Sequence, residues 1–415
     1  MIEPEDVQVM LEDASAQVAE PDFADRVWAD ARVISRRRRR LAVAAGATAV
    51  VALIAAGVVA GPQLKQSTQQ VAPSPNPQPT ETISVPPSGD IDGAQYWLGP
   101  LAGSEPWLDG LPTVLGPELG IMDGHIPNLE SRPIRQIAVV LMRQIEPGRY
   151  HPFLRSVGGR WAESTIDLVP TKDALGNRVA PLSTTAVAPS GSMVAFAQPG
   201  KLVVLDTTNG HAENIPLPSA TINHVAWTTT SDRVMVTGPD AAYRVIVGSV
   251  TPGLERVVPV VKPADPEVLT PPLSLDGDSA GQMLVSYDAN GSGRLVQRPA
   301  LPVSRWVGST FSSGELSARS LIPLQVPKLE NAEALAVVET GPQSPRKLLV
   351  LPDALKEVRL PGRGVLGWYD DHTVLFESRT MDSGWILAWN VQNGQLLRVT
   401  ELQTDSYALG PTLVR

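Results

Sequence analysis

The chain has 415 residues, a formal net charge of −9 and no cysteine, which excludes disulfides, thiol catalysis and cysteine-ligated zinc or iron–sulfur centres. Hydrophobic residues make up 43% of the sequence, so the chain can bury a core and global disorder is excluded. The excess of acidic residues disfavours nucleic-acid binding, because a negative surface repels the phosphate backbone.

Residues 1–40 form the first segment, and their apolar side chains recur at the three- and four-residue spacing of amphipathic helices. Pro21 separates two such patterns, so we predict two short helices in a cytosolic tail. Short amphipathic helices are marginal alone in water, and we therefore expect a cytosolic regulator to cover their apolar faces. The residues predicted to contact this partner are Val7, Met10, Leu11, Phe23, Val27 and Ile34. The alternative is a tail that only sets membrane topology.

Residues 41–61 carry no charged side chain and match the length of a helix that spans a bilayer core of about 30 Å. The cluster that precedes this segment consists of Arg36, Arg37, Arg38, Arg39 and Arg40. Lys65 is the only nearby cation after it, so the positive-inside rule places the N-terminus in the cytoplasm. The sequence predicts a single-pass bacterial cell-membrane protein whose residues 41–61 contact the lipid bilayer. A cleaved signal peptide is the alternative.

Residues 62–91 are rich in proline, glutamine, serine and threonine. Such a composition cannot bury apolar surface, and we predict an extended, semi-rigid linker. The predicted extracytoplasmic domain then occupies residues 92–415.

A recurring element begins near residue 180, in which a turn is followed by two dense strand patterns. The turns lie at positions 191, 232, 281, 331 and 371, at spacings of 41, 49, 50 and 40 residues. A period near 45 residues is typical of a four-stranded propeller blade. The segments 206–210 and 390–394 both end in Asn-Gly and are predicted to be equivalent hairpin turns. The fold class is therefore an all-β propeller of six to seven blades, with seven favoured by the length of 92–415 and residues 137–141 in an earlier blade. A tandem β-sandwich is the structural alternative.

The segments AVAPSGSMVAFA…LVVLDTTNG and LGWYDDHTVLFESR…WILAWNVQNGQLLRVT resemble the divergent WD40-like or TolB-like repeats of extracytoplasmic bacterial β-propellers. The resemblance covers roughly residues 180–400, and the Gly-His and Trp-Asp pairs of true WD40 blades are missing. It implies a closed ring of sheets, which removes free sheet edges.

Motifs for catalysis or metal binding are absent from the sequence. The five histidines (His125, His151, His211, His224 and His372) lie far apart and form no metal-binding pattern. The segment 276–281 resembles the start of a calcium loop, but Tyr287 stands where the bidentate carboxylate is expected, so we interpret it as a blade turn. We predict no catalytic, cofactor-binding or metal-binding residue. The tryptophans at 227, 306, 368, 385 and 389 are expected to pack between blades, or to form a ligand platform if they face the channel.

These patterns favour a non-enzymatic propeller that binds a protein or cell-wall ligand outside the cytoplasm. The order of tail, membrane segment, linker and outer domain is similar to that of transmembrane anti-sigma factors, which implies a sensor coupled to a sigma factor or similar regulator. The tail lacks the histidine and cysteine ligands of the zinc-binding domain in many such proteins. The alternative function is an extracytoplasmic propeller enzyme, namely a hydrolase, a lyase or a quinone-dependent oxidoreductase.

Overall fold

The computed structural model describes residues 83–413, except 121–123, 174–175, 249, 251–252, 262–271, 279–280, 289–291, 302, 324–331, 342–345, 353–363 and 381–382. The predicted tail, the arginine cluster, the segment 41–61 and most of the linker therefore lie outside the described residues. Within the described part of the chain, no helix has the length and apolar character that crossing a membrane requires.

The regular secondary structure of the described residues is almost entirely β, with a single 3₁₀ helix at Glu105–Trp107. The strands within the described ranges are β1 (Gly89–Ile91), β2 (Ala94–Leu98), β3 (Glu118–Leu119), β4 (Ile137–Glu146), β5 (Arg149–Ser156), β6 (Trp161–Glu163), β7 (Thr171–Lys172), β8 (Arg178–Val179), β9 (Met193–Gln198), β10 (Lys201–Asp206), β11 (Ala212–Pro216), β12 (His224–Trp227), β13 (Arg233–Thr237), β14 (Ala242–Ile246), β15 (Val257–Pro259), β16 (Leu273–Asp278), β17 (Gly281–Tyr287), β18 (Gly293–Gln297), β19 (Val303–Ser313), β20 (Leu316–Pro323), β21 (Glu333–Glu339), β22 (Arg346–Leu351), β23 (Val365–Asp370), β24 (Thr373–Arg379), β25 (Gly384–Asn390), β26 (Leu396–Leu402) and β27 (Tyr407–Leu409).

Six sheets form the six blades of a β-propeller, and β7–β8 is a separate small hairpin. From the axis outward the blades are blade 1 (β27-β4-β5-β6), blade 2 (β9-β10-β11), blade 3 (β12-β13-β14-β15), blade 4 (β16-β17-β18), blade 5 (β19-β20-β21-β22-β2-β1) and blade 6 (β23-β24-β25-β26-β3). An isolated bridge between Val187 and Val194 adds an inner segment to blade 2. The predicted all-β propeller is confirmed, and its blade count is six, the lower value of the predicted range and not the favoured seven.

Strands in the middle of a blade are buried on both faces, because each blade packs against a neighbour on either side. In β25, every residue from Gly384 to Trp389 is buried, and β21 shows the same pattern. Such strands appear in the sequence as continuous apolar runs, which is why their positions could be predicted. The Asn-Gly turns at 206–210 and 390–394 both join the last two strands of a four-stranded unit. Gly210 and Gly394 each have a φ of +76°, as their predicted equivalence requires.

The ring closes through blade 1, where the last described strand pairs with the fourth. Residues 407, 408 and 409 of β27 lie opposite residues 141, 140 and 139 of β4 in antiparallel register. The inner strand of blade 1, β27, therefore comes from the end of the propeller sequence, whereas β4, β5 and β6 come from near its start. This closure joins blades 6 and 1 and leaves no free inner edge between them.

The described residues between 83 and 136 form a belt that covers the outer strands of blades 5 and 6 and packs against blades 6 and 1, instead of a seventh blade. Its strands β2 and β3 pair in parallel with the outer strands β22 of blade 5 and β26 of blade 6. Its end bridges in parallel to blade 1, from Asn128 to Glu163. Trp97 attaches the belt to blade 6, since it is buried and its ring lies 5.8 Å from that of buried Trp389. Its Nε1 donates to the Val85 carbonyl at 2.8 Å, a bond within the belt. The belt accounts for the length that had indicated a seventh blade.

The five predicted repeat turns are not all equivalent. Turns 191, 232 and 371 join the first two strands of their blades, whereas residue 331 lies between β20 and β21, the second and third strands of blade 5. The predicted repeat therefore missed β19 and β20. Residues 303–323, which contain both strands, read VSRWVGSTFSSGELSARSLIP, and their serine, threonine and glycine residues interrupt the apolar pattern that indicates a strand.

The predicted turn at 281 also occupies a different place in its blade from the turns at 191, 232 and 371. The Leu275 amide donates to Thr310 Oγ1 at 3.0 Å and Ser312 Oγ donates to the Leu273 carbonyl at 3.4 Å, so β16 and β19 run in opposite directions. Inner strands of neighbouring blades run in the same direction, so β16, which is antiparallel to the inner strand β19, has the direction of the second strand of a blade. The predicted turn positions 281 and 331 therefore both lie at the connection between the second and third strands of their blades. Residues 276, 277 and 278 at the end of β16 pair with residues 283, 282 and 281 at the start of β17, so this part of the chain belongs to a hairpin, as predicted.

We expect Tyr287 to make stability fall at alkaline pH. This half-buried phenol on β17 has its pKa raised from 10.0 to about 12, chiefly by burial and then by the Asp276 carboxylate, while Arg319 opposes the shift. The folded state therefore disfavours phenolate, and the contribution of Tyr287 is complete below pH 10 and is lost as the pH rises towards 12. Between pH 8 and pH 11, the free energy of unfolding in urea should fall by about 1 kcal/mol more in the parent chain than in Tyr287→Phe, a value reduced for the partial exposure of the phenol. Equal losses in the two proteins would contradict this prediction.

Candidate functional site

A cavity of about 520 Å³ occupies one end of the central channel, and all six blades contribute to its wall. This end, called the mouth below, is where the inner strands of blades 3, 5 and 6 finish. The lining residues are Thr184, Thr185, Val187, Pro189, Ala226, Trp227, Thr228, Thr229, Pro272, Thr310, Phe311, Ser312, Ser313, Leu366, Gly367, Trp368, Asp370, Asp371, Leu375, Leu409, Gly410, Pro411 and Leu413. Seven of them carry hydroxyl groups, and none of these described lining residues carries a positive charge.

Hydrogen bonds between neighbouring blades fix the wall of the mouth. Thr185 Oγ1 donates to the Val225 carbonyl at 2.5 Å, and Trp227 Nε1 donates back to the Ala186 carbonyl at 2.8 Å. These bonds join blades 2 and 3 in both directions. Because both donors are satisfied by the adjacent blade, this part of the wall is held in place before any ligand arrives.

Blades 5 and 6 meet at the mouth through an aromatic and a hydroxyl contact. Trp368 Nε1 donates to the Phe311 carbonyl at 3.0 Å, and Ser313 Oγ donates to Asp371 Oδ1 at 3.4 Å. The Nε1 group of Trp368 is thus hydrogen-bonded. The side chain is half-buried and lines the cavity. It therefore provides an aromatic surface of fixed orientation.

The five tryptophans that the sequence singled out divide between the two predicted roles. Trp227 and Trp368 line the mouth. Trp306, Trp385 and Trp389 are buried in clusters between blades. The sequence could not assign them, because which face of a strand meets the channel depends on the packing of neighbouring blades.

A β-bulge at the end of β23 positions the acidic side of the mouth. Trp368 pairs with Val374 and Asp370 pairs with Thr373, which leaves Tyr369 as the extra residue. A bulge of this kind redirects the side chains that follow it. The Tyr369 hydroxyl donates to the Pro112 carbonyl of the belt at 3.4 Å, while Asp370 and Asp371 line the cavity and are exposed.

The predicted site residues lie outside the described part of the chain. This holds for all five topology arginines (Arg36, Arg37, Arg38, Arg39 and Arg40) and for all six predicted partner contacts (Val7, Met10, Leu11, Phe23, Val27 and Ile34). They remain predictions.

The histidines are scattered through the described fold. His151 lies between Glu163 Oε1 at 3.1 Å and Asp167 Oδ1 at 3.0 Å on the outer half of blade 1. His224 is buried in β12, and His125, His211 and His372 are exposed. Among the described residues, no group of three histidine, aspartate or glutamate side chains is placed to hold a metal ion.

The mouth residues Asp370 and Asp371 were recognised from the sequence only as a repeat turn. The signal that could have identified them was their position directly after an inner strand, since turns of that type converge at one end of a propeller. The hydroxyl groups of β19 could not have been found in the same way, because the sequence pattern did not reveal that strand.

The chain is thus a six-bladed β-propeller with a ligand-sized cavity at one end of its channel. No protein-family model matches the chain, and no curated protein matches it.

Solved structures resemble this chain at low identity and with TM-scores below 0.5. TolB from Acinetobacter baumannii is 14% identical with a TM-score of 0.43, over 69% of this chain and 68% of that chain. An oligogalacturonate lyase in complex with manganese is 11% identical with a TM-score of 0.39, over 67% of this chain and 78% of that chain. The N-terminal domain of Nup159 is 13% identical with a TM-score of 0.31, over 65% and 69% of the two chains. These likenesses concern the fold alone and do not distinguish binding from catalysis.

Proposed function

We propose that this chain is a membrane-tethered, non-enzymatic binding propeller whose ligand site is the mouth, outside the cytoplasm. The observation that carries the proposal is the cavity of about 520 Å³ built jointly by all six blades. Its volume lies within the range of roughly 300–1,000 Å³ that is usual for ligand pockets. Hydroxyl, aromatic and aliphatic groups make up most of the lining, and such groups recognise a ligand by contact and hydrogen bonding.

The membrane tether rests on the uncharged segment 41–61 and the arginines that precede it. Within the propeller, the first described residues lie at the mouth end. The Val85 amide donates to the Asn393 carbonyl at 2.7 Å, in the turn between β25 and β26. Because antiparallel strands alternate in direction, this turn lies at the same end of blade 6 as Asp370 and Asp371. The chain therefore enters the propeller at the end that carries the ligand site.

The finer part of the proposal is a sensor role. Ligand binding at the mouth would be coupled through the segment 41–61 to a cytosolic regulator, such as a sigma factor, that binds the two amphipathic patterns of the tail. The support is the order of the segments and the apolar faces predicted for residues 1–40.

In-cell photocrosslinking of the full-length chain tests both parts. A photoreactive residue at Thr229, which is exposed at the mouth, should capture a partner. The same residue at Asp240, exposed on the β13–β14 hairpin at the opposite end of blade 3, is the matched control and should not capture it. A third variant at Phe23 should capture a cytosolic protein. Equal capture from Thr229 and Asp240, or none from either, would refute mouth binding, and failure at Phe23 alone would refute the sensor role.

A further inference from the structure

We propose that the mouth binds a basic polypeptide segment, with a lysine or arginine side chain placed between the Trp368 ring and the carboxylates of Asp370 and Asp371. This inference rests on the proposed function, since it names the chemistry of the ligand for the same site. Four observations carry it: the charge of the lining, the state of the two carboxylates, the fixed indole and the hydroxyl groups around them.

The first observation is the one-sided charge of the mouth. Asp370 and Asp371 are the only ionisable groups among the described lining residues. Glu315 and Asp232, in the equivalent turns of blades 5 and 3, are also exposed. The Asp232 carboxylate lies 3.8 Å from the Arg233 guanidinium. Among the described residues, Asp370 and Asp371 have no comparable cation beside them. A negative potential at a concave site attracts cations and repels acidic partners.

The second observation is that each of the two carboxylates accepts a hydrogen bond at one of its two oxygens. Asp370 Oδ1 accepts the His372 amide at 2.9 Å, and Asp371 Oδ1 accepts the Ser313 hydroxyl at 3.4 Å. Each bond fixes the direction of one carboxylate and leaves its other oxygen for an incoming donor. Neither carboxylate forms an ion pair within the described part of the chain, so a cationic ligand would not have to displace a resident one.

The third observation is the aromatic wall beside these acids. Trp368 precedes Asp370 across the bulge, and its Nε1 is already bonded to the Phe311 carbonyl at 3.0 Å. With this donor already used, the indole can attract a ligand only through its π system, which attracts ammonium and guanidinium groups. An indole and two carboxylates that line one cavity are suited to a cationic side chain.

The fourth observation favours a peptide over a bare metal ion. Seven threonine and serine residues line the same cavity as the acids, and one of them, Ser313, contacts Asp371. A hydroxyl group can both donate and accept hydrogen bonds. Peptide amides need both functions, whereas a divalent cation needs several oxygens fixed at short distances. The described residues contain no such metal-binding group. The cavity of about 520 Å³ is also larger than one ion requires.

Fluorescence anisotropy on the full-length chain in lipid nanodiscs tests the proposal. The probes are three labelled peptides of one Gly-Ser repeat sequence that carry lysine, norleucine or glutamate at the same positions. The lysine peptide should bind at least 10-fold more tightly than either of the others. Its affinity should fall when the salt concentration rises from 50 to 500 mM, because exposed charge pairs are screened. Equal binding of the lysine and glutamate peptides would overturn the proposal.

Three variants locate the binding. Asp370→Asn combined with Asp371→Asn should weaken the lysine peptide at least 10-fold, and Trp368→Leu should weaken it about threefold or more. Asp240→Asn removes an exposed acid at the opposite end of blade 3 and should leave binding unchanged. An unaltered urea midpoint confirms that each variant is folded. Binding of the double variant within twofold of the parent chain would refute the inference. If Thr229 still captures a partner in cells in that case, the proposed function stands and only the ligand class is wrong.

Discussion

Replacing Gly410 with alanine is expected to destabilise the ring by about 3 kcal/mol or more, because the new methyl group has no space. A Cβ at this position would overlap the Ile137 carbonyl oxygen and lie 2.7 Å from the carbonyl carbon. Both are backbone atoms, so no side-chain rotation can relieve the contact. Gly410 also donates its amide to the Ala138 carbonyl at 2.8 Å, beside the β27–β4 pairing that closes the propeller. Urea unfolding of the full-length chain measures the effect.

Gly158→Ala is the matched control for this substitution. The nearest atom to a Cβ at Gly158 is Ser156 Oγ at 3.8 Å, and the residue lies in an exposed turn of blade 1. Its stability should stay within about 0.5 kcal/mol of the parent chain. Gly410→Ala should also accelerate proteolysis near the C-terminal strand, since the closing strand would pair less firmly. Equal stability of the two variants would show that ring closure tolerates a shift of β27 away from β4.

Arg319→Met is expected to cost about 2–6 kcal/mol, because two carbonyl groups in two blades would lose the buried donors that now join them. Arg319 is 0% exposed, and it lies on β20 of blade 5. Its Nε donates to the Gly308 carbonyl at 2.7 Å and its Nη1 donates to the Leu275 carbonyl of blade 4 at 2.6 Å. Methionine fills much of the same space and supplies no donor, so both carbonyl groups would lose this partner.

Arg319→Lys separates charge from geometry. Lysine keeps the charge but cannot reproduce the planar fork that reaches two carbonyl groups at once, so we expect an intermediate loss. The Arg319 guanidinium also lies 5.9 Å from the centre of the Trp306 ring, and a change in tryptophan fluorescence should accompany both variants. Arg294→Met, at an exposed position on β18, should change stability by less than about 0.5 kcal/mol. An Arg319→Met variant as stable as this control would refute the assigned role.

Local sequence patterns were sufficient for the strands that form the middle of blades. The runs at 193–197, 334–338 and 385–389 correspond to β9, β21 and β25. Each run is apolar on both faces, since each strand is enclosed by neighbouring blades, and an unbroken apolar run of this length is itself a strand signal. The two Asn-Gly turns were predicted correctly for a similar reason, because positive φ is a local requirement.

The polar strands and the blade count could not be predicted in this way. β19 and β20 carry serine, threonine and glycine at positions that contact other strands, so their apolar pattern is interrupted. The belt contains strands that look like blade strands, but they pair in parallel with the outside of blades 5 and 6. Whether such a segment starts a new blade or covers an existing one depends on its pairing partner, which is distant in sequence.

The amino-acid sequence was enough to predict the all-β propeller class and to establish the acidic, cysteine-free composition. The order of tail, membrane segment and linker stays a prediction. The number of blades, the closure of β27 on β4 and the composition of the mouth emerged from the three-dimensional fold. The difference lies in the range of each interaction. Turn geometry and apolar periodicity act over a few residues, whereas Thr185, Thr229, Ser313 and Asp371 come together only because separate inner strands converge on one axis.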